Sequence, residues 1–347
     1  MHVAFLGLGA IGFPMARHLA GPPFTLAVWN RTAEKATRFA ADTGAHHAAT
    51  PAEAARGAQV VVTCLPVSAD VEALLDGADG LLAGLTDGAL LVDCTAGDPA
   101  GSRRIAARLA ERGVGFVDAP VSGGVAGAER GALTVMVGGD AAVLERVRPV
   151  LEAFGQKIVH CGPVGAGDAL KAVNNALLAT AIWATAEGLA ALEKAGVRAD
   201  VALDVINASS GRSNASENLF PERVLTRAFP RTFRLALLSK DVGIAADVAR
   251  AQRVPSPLLQ LTAELYRLAH GELGEAADHV EAARVVERWA DTTIGAPASP
   301  PTPDQPRPSR PRPTTSAPPR PASPAQPDRA VPAPPSSPDD PILEQPL

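Results

Sequence analysis

Hydrophobic and polar positions follow two different patterns along the chain, and the change lies near Gly162. Before it, apolar runs of four to seven residues alternate with longer stretches of helical period. That order predicts a parallel sheet with helices between its strands. The predicted strands are His2–Leu6, Thr25–Trp29, Val60–Leu65, Ala89–Asp93, Gly115–Asp118, Thr134–Val137 and Lys157–His160.

After Gly165 the strand pattern disappears, and alanine, leucine and glutamate predominate. The longest predicted helix runs from about Ala166 to Ala195 and stops at Gly196, a residue type that often follows a helix C-terminus. About thirty helical residues span roughly 45 Å, more than the width of a small domain, so we expect this helix to link two domains. Further predicted helices are Ala199–Ala208, Arg234–Arg253, Pro257–His270 and Asp278–Thr292.

Residues 296–347 differ in composition from everything before them. They contain 19 of the 32 prolines, five arginines and five acidic residues, with no glycine and no aromatic residue. Such a segment has too little apolar surface to offset the conformational entropy lost on folding. The sequence therefore predicts an α/β N-terminal domain at residues 1–164, an all-α C-terminal domain at 165–295 and a disordered Pro-rich tail at 296–347.

Charge and cysteine content exclude several classes of partner. The net charge of -5 and the pI near 5.8 give no basic surface for a nucleic acid or an anionic membrane, and we expect neither partner. Cys64, Cys94 and Cys161 are too widely spaced for a zinc or redox motif, so no metal is expected. Because the first six residues also lack the features of a secretory signal, we expect a cytoplasmic protein with reduced thiols.

A glycine motif follows the first predicted strand directly. Gly7-Leu8-Gly9-Ala10-Ile11-Gly12 has the spacing G-x-G-x-x-G and precedes an amphipathic helix at Pro14–Ala20. In a dinucleotide-binding βαβ unit, the first glycine permits a tight turn and the second lets the backbone approach the pyrophosphate. The third lets helix and strand pack closely. These six residues are therefore predicted to bind a dinucleotide, and the alternative is a glycine-rich turn without a ligand.

The end of the second strand bears on which dinucleotide is bound. The fingerprint usually has an acidic residue about 20 positions further on, which holds the ribose hydroxyls. This chain has Asn30-Arg31-Thr32 there. A guanidinium with neighbouring amide and hydroxyl groups favours a 2′-phosphate, so NADP is the preferred cofactor and NAD is possible. In the alternative interpretation, Asn30 or Thr32 caps the next helix and Arg31 is solvated.

Further short motifs continue along the chain in a fixed order. They are Asp118–Gly124, Gly131–Gly139, Gly165-Ala166-Gly167, Lys171, Asn174-Asn175 and Lys240-Asp241. Together with the glycine motif, they resemble the β-hydroxyacid dehydrogenase family, which includes 3-hydroxyisobutyrate dehydrogenase and tartronate semialdehyde reductase. The resemblance covers about residues 3–290. It implies a Rossmann-like domain, a long interdomain helix, a helical C-terminal domain that helps to form homo-oligomers, and oxidation of a short hydroxy acid.

The resemblance also implies roles for individual residues. Lys171 would be the general acid/base, and Asn175, one helical turn later, would orient the substrate. Only five of the 32 basic residues are lysines, and a lysine can release a proton near neutral pH where an arginine cannot. The implied substrate-binding residues are Ser122, Gly123 and Gly124, and the implied further cofactor-binding residues are Leu65, Pro66, Thr95 and Lys240.

Each of these roles has an alternative interpretation. Lys171 could be an ordinary helix lysine, Ser122-Gly123-Gly124 a turn, and Asn175 a buried asparagine that binds neighbouring backbone. The family tends to have Ser-Thr at the second and third positions after Asp93, whereas this chain has Thr95-Ala96 and so keeps only one hydroxyl. Lys240 could instead form a surface salt bridge with Asp241. His46, His47 and His279 have no partners at metal-ligand spacing and are interpreted as structural or solvated.

The sequence thus predicts an oxidoreductase that transfers hydride between NADP(H), or NAD(H), and a short 3-hydroxy acid. Examples are 3-hydroxyisobutyrate or a tartronate semialdehyde/glycerate-type substrate. The alternatives are an imine reductase, which shares the glycine motif, and a non-catalytic cofactor-binding scaffold. Lys171 disfavours both, because imine reductases usually have another residue there and a scaffold needs no titrating amine.

Overall fold

Nine strands form one sheet in the N-terminal part of the described residues, 1–295 of this computed structural model. The predicted Pro-rich tail at residues 296–347 lies outside them. The strands are β1 His2–Leu6, β2 Thr25–Trp29, β3 His46–His47, β4 Val60–Thr63, β5 Leu90–Asp93, β6 Gly115–Asp118, β7 Val121–Ser122, β8 Leu133–Gly139 and β9 Gly155–Gly162.

The order of the strands creates a crevice at the carboxyl ends of the parallel strands. The order is β3-β2-β1-β4-β5-β6-β8-β7, with β9 also paired to β8. Strands β1 to β6 are parallel, and their order is that of a dinucleotide-binding fold, in which the ligand crevice opens where the chain leaves β1 and β4 in opposite directions. Leu6 pairs with both Trp29 and Thr63, so the loops after β1, β2 and β4 lie side by side at this crevice.

Helices connect the strands of the sheet, and the described elements after β9 are all helical. Up to residue 154 they are α1 Gly12–Arg17, α2 Ala33–Thr43, α3 Pro51–Ala55, α4 Ser68–Ala73, α5 Leu81–Gly84, α6 Pro99–Ala110, α7 Gly124–Glu129 and α8 Ala141–Phe154. The C-terminal part contains α9 Ala166–Lys194, α10 Ala199–Asn207, a π-helix Ala215–Val224, α11 Leu235–Ala251, α12 Pro257–Leu273, a 3-10 helix His279–Glu281 and α13 Ala282–Ala290.

Both faces of the sheet are buried by helices. Along β1, Val3 and Phe5 belong to one hydrophobic cluster, while Ala4 and Leu6 belong to a second cluster on the opposite face. Successive strand residues point to opposite faces, so a strand covered on both sides must be apolar throughout. A third cluster, drawn from residues 172–294, forms the core of the helical part. The Rossmann-like domain and the mostly helical C-terminal domain predicted from the sequence are therefore confirmed.

Helix α9 joins the sheet to the helical core. In its first turn it approaches β8 so closely that a Cβ on Gly167 would lie 2.2 Å from the carbonyl oxygen of Met136. Further along, Ala176, Trp183 and Leu189 are buried in the helical cluster. Among the described residues, α9 is the one helix that meets the length and composition of a membrane span, yet 11 of its 29 residues are buried within this fold. The predicted long interdomain helix is confirmed.

The sequence patterns missed the short and irregular elements. Strands β3 and β7 have two residues each, and the π-helix was not predicted at all. The predicted helix Asp278–Thr292 begins as a 3-10 turn and ends at Ala290, and the one predicted at Pro14–Ala20 is Gly12–Arg17. Two-residue strands are too short for periodicity to reveal. The domain boundary at residues 164 and 165 stays a prediction, because the described residues form a single compact unit.

The buried carboxylate of Asp278 connects the segment before α11 to the 3-10 helix that precedes α13. Asp278 Oδ2 accepts hydrogen bonds from the backbone N–H groups of Thr232 (2.8 Å) and Phe233 (3.0 Å), and Oδ1 accepts one from Val280 N (3.1 Å). Burial alone would raise the pKa of Asp278, but the adjacent His279 and these backbone donors outweigh it and hold the pKa well below its usual range. The folded state therefore strongly favours the charged form.

We expect Asp278→Ala to lower the free energy of unfolding by about 3 kcal/mol near pH 7, because several buried N–H groups lose their acceptor. A group with a depressed folded pKa stabilises fully above its unfolded pKa, 3.8 here, and loses that contribution as pH falls towards the folded pKa. Urea titrations at about pH 7 and about pH 3 should show the difference from wild type narrowing at the lower pH.

The matched control is Asp200→Ala, which removes a carboxylate that is 51% exposed and paired with Arg198. It should change the free energy of unfolding by no more than about 1 kcal/mol. If Asp278→Ala changed the free energy of unfolding as little as Asp200→Ala does, the hydrogen bonds of Asp278 would not be important for stability.

Candidate active site

The glycine motif lies between β1 and α1, and two of its glycines are required by the protein's own packing. A Cβ on Gly7 would lie 2.3 Å from the carbonyl oxygen of Cys64, and one on Gly12 would lie 2.0 Å from that of Gly7. A Cβ on Gly9 would meet nothing within 4 Å. Gly9 is thus exposed to open space at the crevice, which fits the close approach of a dinucleotide's pyrophosphate. The neighbouring Ala10 is exposed as well.

The residues after β2 do not cap α2 as the alternative interpretation suggested. Asn30 Oδ1 accepts a hydrogen bond from Leu8 N (2.9 Å), and its Nδ2 donates to Thr32 O (2.9 Å). Thr32 occupies the N-cap position of α2 but makes no side-chain capping bond. The cap interpretation is therefore wrong for both residues, and Asn30 instead ties the glycine motif to the end of β2. Arg31 extends into solvent, with its side chain 83% exposed.

A buried threonine links the loops that follow β4 and β5. Thr95 Oγ1 accepts a hydrogen bond from Leu65 N (3.0 Å), and Thr95 N donates to Asp93 Oδ1 (3.0 Å). Pro66 is exposed beside this link, whereas Thr95 is only 1% exposed. The Thr95 hydroxyl therefore holds the two loops together, and Leu65 and Thr95 lie next to each other. Contact of either residue with a cofactor stays a prediction.

Three buried aspartates that sequence reasoning did not single out surround the start of α9. Asp118, the last residue of β6, accepts hydrogen bonds from Gly165 N (2.7 Å) and Asp168 N (3.0 Å). Asp168 in turn accepts one from Gly97 N (3.0 Å). Burial raises the pKa of Asp93 to about 6 and also raises the pKa values of Asp118 and Asp168. Asp93 and Asp118 end the adjacent strands β5 and β6, and that position was the available signal in the sequence. Asp168 lies in the first turn of α9.

Further along α9, the three polar side chains of Asn175, Asp241 and Lys240 form a connected group. Asn175 Nδ2 donates to Asp241 Oδ2 (2.6 Å), and Asp241 Oδ1 lies 2.9 Å from Lys240 Nζ. Lys240 Nζ also donates to the carbonyl oxygen of Ala96 in the loop after β5. The structure therefore brings Asn175 and Lys240 together, with Lys171 beside them, at the junction of the sheet and the helical domain.

The electrostatics of this group centre on Lys171. Burial lowers the pKa of the Lys171 amine, the nearby Asp241 carboxylate opposes that shift, and the Lys240 ammonium adds to it. Lys240 and Asp241 do form the salt bridge of the alternative interpretation, but it is not a surface pair, because Asp241 is only 2% exposed. Asp241 is the member of this group that sequence reasoning missed as a functional residue. The group can hold an amine that exchanges a proton closer to neutral pH than an exposed lysine does.

The predicted carboxylate-binding residues lie on a separate loop. Ser122 is the last residue of β7, and Gly123 and Gly124 lead into α7 with φ angles of 133° and 64°. Residues other than glycine rarely adopt such positive angles. Both glycines are exposed. Solvent therefore reaches both glycines, and binding of a carboxylate at this loop stays a prediction. Among the described residues, no group of three His, Cys, Asp or Glu side chains is arranged to hold a metal.

Comparison with known proteins agrees with this arrangement. Residues 2–162 match the family model for the NAD-binding domain of 6-phosphogluconate dehydrogenase. Residues 165–286 match the model described as NAD-binding of NADP-dependent 3-hydroxyisobutyrate dehydrogenase. An NAD-dependent L-serine dehydrogenase of Pseudomonas aeruginosa is 40% identical over 272 residues, which are 77% of this chain and 91% of that protein. The chain belongs to the β-hydroxyacid dehydrogenase family.

Two further comparisons support this membership. A 3-hydroxyisobutyrate dehydrogenase of Pseudomonas aeruginosa is 38% identical over 273 residues, covering 77% of this chain and 91% of that protein. The structure of Mycobacterium tuberculosis 3-hydroxyisobutyrate dehydrogenase with L-serine has a TM-score of 0.76 at 33% identity, covering 82% of this chain and 98% of that one. This member of the family is an NAD(P)-dependent dehydrogenase that acts on the CH–OH group of a hydroxy acid.

The glycine motif offers a paired test of nucleotide binding. We expect Gly9→Ala to keep the wild-type melting temperature, because the new methyl group meets no protein atom, but to weaken NAD(P) binding about tenfold or more. Gly12→Ala should instead destabilise the fold by about 1 to 3 kcal/mol, because its methyl group overlaps Gly7. Thermal unfolding and fluorescence titration measure the two effects. If the Gly9 variant bound NAD(P) as tightly as wild type, the result would favour the alternative interpretation, in which the glycine motif is a turn that binds no ligand.

Proposed function

We propose that this dehydrogenase transfers hydride between NADP(H) and a short 3-hydroxy acid, with Lys171 as the general acid/base. NAD(H) is the possible second cofactor. The observation that carries the proposal is the position of Lys171, a half-buried lysine on α9 near the point where this helix meets the sheet. Burial and, to a smaller extent, Lys240 lower the pKa of its amine. A side chain is most effective in proton transfer when its pKa lies near the working pH.

Lys171 would move the proton of the substrate hydroxyl. A nicotinamide held along the glycine motif would supply the hydride acceptor in oxidation and the hydride donor in reduction. In the oxidation direction, neutral Lys171 takes the proton of the substrate hydroxyl, and in reduction the ammonium returns it. Burial favours the neutral amine that oxidation needs, while the Asp241 carboxylate opposes that shift and favours the ammonium form that reduction needs.

Asn175 would orient the substrate hydroxyl next to Lys171. The two residues are four apart on α9, so their side chains share one face of the helix. Asp241 accepts a hydrogen bond from Asn175 Nδ2, and Asn174 donates to Asn175 Oδ1, so the rotation of the Asn175 amide is held from both ends. A fixed amide reduces the entropy lost when the substrate is oriented.

The carboxylate of the substrate would bind at Ser122, Gly123 and Gly124. Their exposure and the helix that follows them support this assignment, because free N–H groups at the first turn of a helix attract anions. The cofactor would lie along Gly7, Leu8, Gly9, Ala10, Ile11 and Gly12, with Arg31 near the 2′-phosphate of NADP. Leu65, Pro66, Thr95 and Lys240 would complete the cofactor site.

We further propose a cytoplasmic homo-oligomer. In the described residues, several large apolar side chains of the helical domain are exposed: Leu177 (63%), Val205 (61%), Leu258 (59%) and Leu261 (56%). Exposed apolar groups on one domain are typical of surfaces that are covered in an assembly. A second copy of the chain is the partner that the resemblance to oligomeric dehydrogenases implies.

The function is tested by assaying a panel of 3-hydroxy acids with NADP and with NAD on wild type and on Lys171→Ala. We expect turnover of at least one acid by wild type and a loss of about 10² to 10⁴-fold in kcat for the variant, the usual contribution of a positioned acid/base. Cofactor affinity should stay unchanged. Lys157→Ala, at an exposed lysine of β9, serves as the control. Near-normal turnover in the Lys171 variant would refute the mechanism.

The pH dependence of oxidation tests the electrostatics around Lys171. Its rate should rise with pH as the amine loses its proton, with a midpoint below the ordinary lysine value of 10.5. Because Asp241 raises the pKa of Lys171, Asp241→Asn should move the midpoint to lower pH. Because Lys240 lowers it, Lys240→Gln should move the midpoint to higher pH.

The control for these pH profiles is Asp247→Asn. Asp247 lies on α11, as Asp241 does, but its side chain is 69% exposed. Its midpoint should match that of wild type, since exposed charges are screened by solvent. Shifts of the Asp241 and Lys240 variants in the same direction would contradict the assignment of the titrating group to Lys171.

A further inference from the structure

An ion pair crosses the nucleotide crevice. Arg31 Nη1 lies 3.9 Å from Asp70 Oδ1. Arg31 follows β2, and Asp70 lies in the first turn of α4, which follows β4. Because β1 lies between β2 and β4 in the sheet, the pair spans the carboxyl end of β1, where the glycine motif begins. The two side chains therefore come from opposite sides of the crevice that a dinucleotide would enter, and their charged ends meet there.

The backbone is anchored on both sides of this pair. On one side, Asn30 binds Leu8 N and so fixes the turn that carries Arg31. On the other side, Ser68 Oγ accepts a hydrogen bond from Asp98 N (2.8 Å) and holds the start of α4 against the loop after β5. Asp70 N also donates to Val67 O (3.0 Å) within its own turn. The carboxylate thus stays within reach of the guanidinium without movement of either loop.

We propose that Asp70 is a specificity residue that weakens the preference of this site for a 2′-phosphate. The inference rests on the proposed dinucleotide site. Arg31 is the cation that a 2′-phosphate would contact, and Asp70 competes with the phosphate for the same guanidinium. Asp70 also repels the phosphate directly, because both groups are negatively charged. A nucleotide with a free 2′-hydroxyl carries no charge there and experiences neither effect.

The size of the effect follows from exposure. The Arg31 side chain is 83% exposed and that of Asp70 is 33% exposed, so water and salt screen the interaction between them. Exposed pairs of this kind change an equilibrium by about two- to fivefold. Arg31 therefore determines that the site prefers a nucleotide with a 2′-phosphate, and Asp70 reduces the strength of that preference.

The test uses two ligands that differ only in the 2′-phosphate, adenosine 2′,5′-bisphosphate and adenosine 5′-monophosphate. Their dissociation constants are measured by calorimetry for wild type, Asp70→Asn and Arg31→Gln. The control is Glu111→Gln, which makes the same change in net charge at the exposed C-terminal end of α6. Because Asp70 is a surface residue, its variant should fold as wild type does, and the melting temperature checks this.

We expect Asp70→Asn to tighten binding of the bisphosphate about two- to fivefold and to leave the monophosphate unchanged. The gain should shrink at about 0.5 M salt, and Glu111→Gln should have no selective effect. Arg31→Gln should weaken the bisphosphate alone. An unchanged ratio of the two dissociation constants in Asp70→Asn, or an equal gain for both ligands, would overturn the proposal.

Other results separate this inference from the proposed enzyme function. If both nucleotides bind as expected but no 3-hydroxy acid is oxidised, the role of Asp70 is supported and the substrate assignment fails. If wild type binds neither nucleotide, both the dinucleotide site and the role of Asp70 are refuted.

Discussion

The attachment of α9 to the edge of the sheet is the contact on which the rest of the molecule depends. Asp118 accepts hydrogen bonds from Gly165 N and Asp168 N, so the carboxylate at the end of β6 holds the first turn of α9. A negative group at this position is also favoured by the helix dipole. Lys171 and Asn175 lie within the next two turns, and a rotation of the helix would carry both away from Asp241 and from the loops of the crevice.

This attachment has an electrostatic cost. Asp93 and Asp118 are neighbours on adjacent strands, and Asp168 lies close enough to both for their charges to raise its pKa. Burial raises the pKa of Asp93 to about 6, so its contribution to stability is present below the unfolded value of 3.8 and is lost as pH rises through 6. The protein retains these carboxylates where they connect the loops after β4 and β5 to the helix that carries Lys171.

The sequence was informative wherever a regular pattern carried the structure. The period of the strands gave the Rossmann-like sheet, and the long run of helix-forming residues gave α9 within one residue of its end. The glycine spacing located the crevice, and the family motifs indicated Lys171, Asn175 and Lys240. Contacts between residues far apart in the chain were beyond such patterns. Asp241 looked like an exposed partner of Lys240 because nothing local reveals that α11 packs against α9, and Asn30 looked like a helix cap because its partner is Leu8.

Asn30 and Arg31 are adjacent in the chain but differ in how freely they can change during evolution. The Asn30 side chain holds the glycine motif in place, so most replacements there would disturb the backbone that any dinucleotide must contact. The side chain of Arg31 is surrounded largely by water and supports no backbone element. A lineage could therefore exchange one cofactor for another by drifting at Arg31 and Asp70 while the architecture beneath them stays constant.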